Sequence, residues 1–325
     1  MDKYKAIRAY RTGLLLSLTD WLTVLPGLRM LACATATSVT AKGMEHIQRR
    51  KGYLFLTNHR DIVMDSAWLS MLLREQKNIR PYIGIGNNLF GRRWIEPFVR
   101  FNRVFVVIRD GGIREQIHHS TLLSCYIADR IHARHSVWLA QREGRAKDGN
   151  DRTQPAVLKM LLLSTPKTTH ELDHLMTLNI CPTCINYEFD PCDYLKAQEM
   201  QLKRDNPTWK KSKADDLLSM KTGIHGRKGR VVFHVAPSIN PWLESHRTEL
   251  IAMTRNDMLN AIAQHIDFEI HCRYEHYERG QAFDEYIEQQ LQKVNLPNPD
   301  WTFLRDKMYE MYNNPVKNYL QTQHI

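Results

Sequence analysis

The fold is decided by the stretch YLFLTNHRDIVMD (residues 53–65), which the apolar sequence SAWLSMLL (residues 66–73) follows. Its first five residues predict a short buried strand, and the apolar residues after the polar turn recur at helical spacing. His59 lies in that turn, with Asp61 two residues and Asp65 six residues later. A histidine held between two rigid elements can act as a base near neutral pH. The alternative is that Asp61 only caps the helix and that His59 is a surface turn residue.

Strand-like and helical segments alternate through the rest of the chain. Short apolar runs predict strands, and longer segments with apolar residues at helical spacing separate them. The predicted strands after the first are residues 81–86, 104–108, 137–140, 179–187 and 230–234. This alternation predicts an α/β fold with a central, largely parallel sheet flanked by helices.

The composition is that of a globular protein with one basic end. The 325 residues are 43% hydrophobic and 25% charged, and the formal net charge is +10. Residues 1–51 hold nine Lys and Arg residues but three acidic ones. Such an end indicates an anionic partner, either nucleic acid or an acidic membrane surface. We expect no nucleic acid, because the chain has no nucleic-acid-binding motif and no stripe of alternating aromatic and basic residues.

Residues 13–39 form the most apolar segment. A membrane-spanning helix is not expected there, because Asp20 and Arg29 would lie within the hydrocarbon and Pro26-Gly27 interrupts the pattern. A signal peptide is not expected either, since no small-residue cleavage site follows a short apolar core. The pattern predicts an amphipathic helical hairpin, joined at Pro26-Gly27, that lies in a membrane interface. An ordinary hairpin in the core is the alternative.

The chain is predicted to have three segments. We expect N-terminal amphipathic membrane-docking helices in residues 1–50, an α/β domain in residues 51–275 and a helical or irregular C-terminal extension in residues 276–325. Residues 201–228 string Lys and Arg through a weakly apolar stretch and are predicted to be a surface excursion. The six cysteines do not form a disulfide pattern, and the single C-x-x-C at residues 181–184 lacks the second pair that a zinc site needs. We therefore expect a reducing cytoplasm and no metal.

Three polar clusters follow predicted strands: NHRD (58–61), RDGG (109–112) and QREGRAKDGND (141–151). In an open α/β sheet, ligands bind outside the carboxyl ends of the strands. Together these clusters would supply a base and a clamp for an anion, since the guanidinium groups of Arg109 and Arg145 suit a phosphate or carboxylate. A solvated surface role is the alternative for either arginine. The chain has no P-loop, no Gly-x-Ser-x-Gly elbow and no kinase motif set.

These blocks resemble the glycerolipid acyltransferases, the family that includes bacterial 1-acyl-glycerol-3-phosphate acyltransferases. The resemblance covers about residues 50–275 and is greatest to a bacterial branch with NHRDIVxDSA and REGRAKDG blocks. It implies a catalytic His–Asp pair in which His59 is the histidine. The family's aspartate normally follows five residues later, where this chain has Met64. Asp61 and Asp65 are four residues apart and would share a face of a helix, so either could hold the imidazole. We favour Asp65 as the family counterpart, with Asp61 as the alternative.

The resemblance also implies an acceptor-binding set. Arg109 matches the arginine that binds the acceptor's phosphate, and Glu143-Gly144 matches the Glu-Gly of the third block. Arg145 stands where the family has threonine, and Ala146 where it has a second arginine, so the anion contact is expected to move by one residue. Pro182 matches the proline of the fourth block. The predicted acceptor-binding residues are Arg60, Arg109, Glu143, Gly144, Arg145 and Lys147.

The implied activity is transfer of a fatty acyl chain from acyl-ACP or acyl-CoA to the hydroxyl of a lyso-lipid, with 1-acyl-glycerol-3-phosphate expected as the acceptor. His59 would be the general base, and no metal or other cofactor is expected. The enzyme would lie peripherally on the anionic cytoplasmic face of the inner membrane. One alternative is O-acylation of a lyso-aminolipid, either a lyso-ornithine or a lyso-glycine lipid. The other is a catalytically inactive lipid-binding module.

Overall fold

Seven strands form one sheet in the computed structural model, which describes residues 24–86, 103–108 and 111–323. The strands are β1 (Ala36–Lys42), β2 (Leu54–Thr57), β3 (Tyr82–Gly86), β4 (Val104–Val107), β5 (Val137–Ala140), β6 (Ile180–Tyr187) and β7 (Gly229–Val235). Their order in the sheet is β1-β7-β6-β2-β5-β3-β4. Every neighbouring pair is parallel except β6 and β7. The predicted α/β fold with a largely parallel sheet is confirmed.

Strand β2 lies at the centre of this sheet, and all four of its residues are buried. Its last residue, Thr57, pairs with Ala140 of β5 and with Thr183 of β6. Central parallel strands are covered on both faces, which explains the unbroken apolar run in β2. The turn that contains His59 therefore begins at the carboxyl edge of the sheet, beside the end of β5.

Twelve α-helices accompany the sheet in the described part of the chain. They are α1 (Leu25–Thr35), α2 (Met64–Lys77), α3 (Ile113–His132), α4 (Pro155–Leu161), α5 (Glu171–Thr177), α6 (Asp193–Asp205), α7 (Lys213–His225), α8 (Asn240–Ser245), α9 (Arg247–Ala252), α10 (Arg255–His271), α11 (Gln281–Leu291) and α12 (Trp301–Thr322). None of the described helices is long and apolar enough to cross a membrane.

The apolar core has three parts. One cluster joins the sheet to α2, with Phe55 and Trp68 fully buried, and a second joins it to α3 and α10. A third cluster packs α11 and α12 against α6 and includes Leu304, Met308 and Ala197. The C-terminal helices therefore pack onto the α/β layers through a substantial apolar contact. Full burial of one large apolar side chain stabilises the fold by about 1.5–3 kcal/mol.

The N-terminal prediction differs from the structure in one respect. The second helix of the expected hairpin is present as α1, and the first lies outside the described residues. Residues 36–42, which the sequence pattern assigns to the docking segment, form β1 and pair with β7 from Ala36↔Gly229 to Lys42↔His234. This strand lies at the sheet edge with only partial burial, so its sequence lacks the long apolar run that reveals the central strands.

Residues 201–228 are not simply a surface excursion. They include α7, whose Ser219, Met220 and Gly223 are buried. Lys228 is also buried, and its ammonium donates to the carbonyls of Ile224 at 3.2 Å and Gly226 at 2.7 Å. The many Lys and Arg residues give this stretch the pattern of a surface segment, although it includes a helix that packs against the histidine turn.

Candidate active site

The turn after β2 is fixed by two buried polar side chains. Asn58 donates from Nδ2 to the Ile185 carbonyl at 3.0 Å and accepts from the Ile185 N–H at 2.7 Å. Lys196 donates to the Arg60 carbonyl at 3.1 Å and is paired with Asp190. These bonds attach the turn to β6 and α6, so its backbone has little freedom to move.

His59 and Asp65 are in direct contact. The distance from His59 Nδ1 to Asp65 Oδ2 is 2.8 Å, and Asp65 is fully buried. The same oxygen accepts the N–H groups of Arg60 at 2.7 Å and Asp61 at 3.0 Å, while Oδ1 accepts the Tyr187 hydroxyl at 2.9 Å. Because a carboxylate only accepts, Nδ1 carries the hydrogen and Nε2 presents its lone pair.

Asp61 caps α2 and does not contact His59. Its Oδ1 accepts the N–H groups of Val63 and Met64, both at 2.8 Å. Burial, followed by the neighbouring Asp65, raises the pKa of Asp61, although the two backbone donors oppose this shift. The helix begins at Met64, so Asp61 precedes it, and the expectation that the two aspartates share a helix face is wrong. Of the two candidates, the structure brings Asp65 to the histidine.

His59 lines a cleft of about 860 Å³ beside the carboxyl ends of β3 and β5. Its ring meets that of Trp138 edge-on, with 5.9 Å between centroids, and 15% of the histidine side chain is exposed. Nε2 has no hydrogen-bond partner among the described residues. Asp65 thus orients the imidazole through Nδ1, and Nε2 is accessible to a ligand in the cleft.

The lining of the cleft differs between its two sides. The apolar side comes from the turn before α2 and from β3, β4, α3 and α4, and includes Ile62, Ile85, Val107, Leu123, Val157 and Met160. The charged side comes from residues 141–147, α6 and the segment around the start of α7. Its cations are Arg142, Arg145, Lys147, Lys203 and Lys211, and its acids are Glu143, Glu199 and Asp216.

Arg145 is the most informative residue of the charged side. It is only 7% exposed, and its Nη1 is buried without a hydrogen-bond partner in the described part of the structure. A buried guanidinium donor left unpaired costs free energy, of the order of 1–3 kcal/mol or more. An anion in the cleft would satisfy this group.

Lys147 belongs to the same side but is already paired. It donates to Glu199 at 2.6 Å. Burial, and then the charge of Arg145, lowers the pKa of Lys147 to about 7 although Glu199 opposes this. Burial alone would raise the pKa of Glu199, but Lys147 and Lys203 outweigh it and lower that pKa to about 2.

The remaining predicted residues have different positions. Glu143 and Gly144 line the cleft. Arg60 does not line it, because its side chain turns into the interior, where Nε lies 3.9 Å from Asp151 Oδ2. The expected contact between Arg60 and the acceptor is therefore not supported by this geometry. Arg109 lies outside the described residues.

Residues 141–154, which we call the cationic loop, are held by the C-terminal helix α12. Asn314 donates to the Asp148 carbonyl at 2.8 Å, and Asn318 donates to Asn150 at 3.1 Å. Gly149 has a φ of +73°, and a Cβ added there would lie 2.2 Å from the backbone oxygen of Met311. Only glycine allows the loop and the helix to approach this closely.

Helix α10 holds the same loop from a second direction. The Thr153 N–H and hydroxyl both donate to Asp267 at 2.7 Å. His271 Nε2 donates to the Asp151 carbonyl at 2.9 Å, and its Nδ1 lies 3.4 Å from Arg152. Burial lowers the pKa of His271 to about 4, and Arg152 adds to this shift. The neutral imidazole is the form that fits, because Nδ1 must accept while Nε2 donates.

The two cysteines of the C-x-x-C lie inside β6 and are fully buried. Burial raises the pKa of Cys181 to about 12 and raises that of Cys184 further. Inert thiols of this kind are structural side chains. No group of three potential metal ligands occurs among the described residues.

The sequence patterns missed three contributors to this site: Tyr187, Lys196 and the helices that hold the cationic loop. Tyr187 is the last residue of β6, the strand next to β2. It lies within the carboxyl end of the strand rather than after it, so a search for polar residues that follow strands does not include it. The contacts from α10 and α12 leave no such signal, since they join distant parts of the chain.

Residues 38–153 match the protein-family model named Acyltransferase. The matched region begins in β1, ends within the cationic loop and includes His59, Asp65 and Arg145. This similarity supports acyl transfer as the general activity. No curated protein matched the chain. Tyr187, Lys196 and the C-terminal helices lie beyond the matched region.

Proposed function

We propose that the protein is an O-acyltransferase that moves a fatty acyl chain from an acyl thioester to the hydroxyl of a lyso-lipid. The observation that carries this proposal is the Asp65-bound imidazole of His59 in a cleft with one apolar and one charged side. The apolar side suits acyl chains, and the charged side suits an anionic head group. The His–Asp pair supplies a base between them.

In the proposed reaction, His59 Nε2 removes the proton from the acceptor hydroxyl as its oxygen attacks the thioester carbonyl. Asp65 keeps the imidazole in the required tautomer and stabilises the imidazolium that forms. The tetrahedral intermediate then collapses, the C–S bond breaks, and the thiol leaves with the proton that His59 held. The thiolate is a good leaving group, so the step needs no metal or cofactor. General-base assistance of this kind contributes about 10²–10⁴ in rate.

The charged side favours a phosphate on the acceptor, and we propose 1-acyl-glycerol-3-phosphate. Its five cations outnumber its three acids among the described lining residues, so the excess charge fits a phosphate monoester dianion better than a single carboxylate. Arg145 is the proposed contact, since its unpaired Nη1 can donate to a phosphate oxygen and the guanidinium fork matches that geometry. Arg109, Lys147, Glu143 and Gly144 remain proposed members of the acceptor site.

The remaining features of the proposal concern the setting of the reaction. The donor is acyl-ACP or acyl-CoA, and the acceptor resides in a membrane. The basic N-terminal segment would dock the protein on the anionic cytoplasmic leaflet of the inner membrane, where polybasic segments gain about 1 kcal/mol per Lys or Arg.

The test is acyl transfer by the purified protein from acyl-CoA or acyl-ACP to lysophosphatidic acid in vesicles. His59→Ala should lower kcat by about 10²–10⁴. His225→Ala, at an exposed histidine that ends α7, is the matched control and should keep wild-type activity. Full activity of His59→Ala would exclude His59 as the base.

Lyso-ornithine and lyso-glycine lipids form the second arm of the same assay. A strong preference for either would replace the phosphate acceptor by a carboxylate-bearing one. Vesicle binding without thioester consumption on any lyso-lipid would indicate a binding module instead.

A further inference from the structure

A second basic pocket lies at the amino edge of the sheet, away from His59. It has a volume of about 150 Å³, and none of the described residues that line it is acidic. Its cations come from the segments before β2, β4 and β5 and from the C-terminal end of α2 with the residues that follow. They are Arg49, Lys51, Arg74, Arg80, Arg103 and Arg134. We call this cavity the amino-edge pocket.

Five of these cations have no acidic partner among the described residues. Some surface arginines elsewhere are paired with an acidic residue, as Arg255 is with Glu171 at 2.8 Å. Within the described residues, by contrast, no carboxylate oxygen lies within 4.0 Å of Arg49, Lys51, Arg74, Arg103 or Arg134. The contacts of three of these cations are neutral: Arg74 bonds Asn78, Arg103 lies 5.3 Å from the Tyr82 ring, and Lys51 lies 5.6 Å from the Tyr53 ring.

Two of these arginines have backbone conformations that are strained for a residue with a side chain. The described residues include four non-glycine residues with positive φ, and the two that are not asparagine are Arg103 at +30° and Arg134 at +63°. Arg134 occupies the left-handed position that ends α3, where its N–H bonds the Ile131 carbonyl at 2.9 Å. Glycine is the usual residue at such a position, and a side chain there costs about 1 kcal/mol or more.

Helix ends explain only part of this arrangement. Cations are favourable near the C-termini of α2 and α3, which accounts in part for Arg74 and Arg134. Arg49, Lys51 and Arg103 come from segments that precede strands, so the helix dipoles do not explain them. Mutual repulsion among these charges is unfavourable unless an anion compensates it.

We infer that the amino-edge pocket binds a phosphate group, either as free phosphate or as the head-group phosphate of an anionic lipid. Its volume admits a group of that size and is too small for an acyl chain. Several guanidinium groups around one small cavity match the oxygens of a phosphate. The pocket is separate from the acceptor site, because the four residues of β2, roughly 13 Å in length, lie between the two sheet edges.

The binding test is calorimetric titration of the full-length protein with inorganic phosphate. An Arg145→Gln background removes the proposed main anion donor of the cleft, so the change in heat that a second substitution causes there reports the amino-edge pocket. Adding Arg134→Gly should weaken this binding at least tenfold. The same change relieves the left-handed strain, so the protein should unfold at an equal or higher temperature in phosphate-free buffer. Loss of binding could then not be attributed to misfolding.

Arg255→Gln is the matched control. It removes one surface arginine that lies outside the pocket and is paired with Glu171. It should therefore retain phosphate binding. If Arg134→Gly binds phosphate as tightly as its parent, or if Arg255→Gln loses binding equally, the inference is overturned for free phosphate.

A second arm addresses the lipid source. Sedimentation with phosphatidylcholine vesicles, with and without phosphatidic acid, should show binding that depends on phosphatidic acid and falls with Arg134→Gly if the ligand is a head group. Failure of Arg134→Gly to weaken either phosphate or vesicle binding would overturn the whole inference. Neither readout uses acyl transfer, so the proposed catalytic function can fail or stand independently.

Discussion

Replacing Asp65 by asparagine removes the charge beside His59 but keeps the shape of the side chain. The asparagine oxygen can still accept the two backbone N–H groups that Oδ2 accepts, and its amide can donate to the Tyr187 oxygen. The fold is therefore expected to survive. What is lost is the attraction between a carboxylate and the imidazolium that forms during proton transfer.

The magnitude follows from the contact distance. With 2.8 Å between Nδ1 and Oδ2, the two charge centres lie about 4 Å apart. At an effective dielectric constant of about 20, their attraction is about 4 kcal/mol. This corresponds to a loss of about 10³ in kcat for Asp65→Asn.

Asp61→Asn is the matched comparison, because the same atoms change four residues earlier. Its oxygen can keep the two bonds to the N–H groups of Val63 and Met64, and Asn is as good a cap as Asp. We expect kcat to change by less than about fivefold and the free energy of unfolding by less than about 1 kcal/mol.

The assay is release of free thiol from acyl-CoA at saturating lysophosphatidic acid, with urea unfolding of each variant in parallel. A loss smaller than tenfold for Asp65→Asn would refute the electrostatic argument. Equal losses for the two variants would mean that the aspartates act as one unit, contrary to the contacts described.

Three further changes test the supports of the site. Tyr187→Phe leaves a buried carboxylate oxygen without its hydroxyl donor, so the free energy of unfolding in urea should fall by about 1.5–3 kcal/mol. Gly149→Ala forces the cationic loop away from Met311, so stability should fall by about 1–3 kcal/mol and the KM for the acceptor should rise more than kcat falls. His271→Gln should flatten the pH dependence of stability. Because the pKa of His271 is about 4 in the folded protein and 6.5 ordinarily, its contribution is complete above pH 6.5 and is lost as the pH falls toward 4.

Each of these has its own control. An unchanged urea midpoint for Tyr187→Phe would mean that its hydroxyl bond contributes nothing to stability. Gly280→Ala adds a methyl group that meets no atom within 4 Å and lies outside the cleft, so its acceptor KM should stay at the wild-type value. His225→Gln, at an exposed histidine, should leave the pH slope unaltered. An equal slope in wild type and His271→Gln would remove His271 as its cause.

The central part of the fold could be read from the sequence because its signals are local. The apolar run of β2 and the helical spacing after it predict the strand, the turn and the helix around His59. Local sequence signals do not decide between Asp61 and Asp65. The choice depends on where α2 begins, and the bonds from Val63 and Met64 to Asp61 set that start at Met64.

Sequence patterns also do not predict the direction of side chains in irregular segments. Arg60 follows His59 directly, yet its side chain points into the interior rather than into the cleft. Its direction is set by turn dihedral angles that no periodicity encodes. The edge strand β1 was missed because partial burial gives it no continuous apolar run. The bonds from Asn314 and Asn318 join positions more than 160 residues apart, and such polar contacts have no sequence period.

The attachment of the cationic loop to α12 has a consequence for how the enzyme matures on the ribosome. Chains fold during synthesis from the N-terminal end. The histidine turn and Asp65 are synthesised long before Asn314 and Asn318. A nascent chain therefore holds the His59–Asp65 pair before the loop that carries Arg145 is secured. The arrangement of Arg145 beside this pair is complete only once α12 has been synthesised.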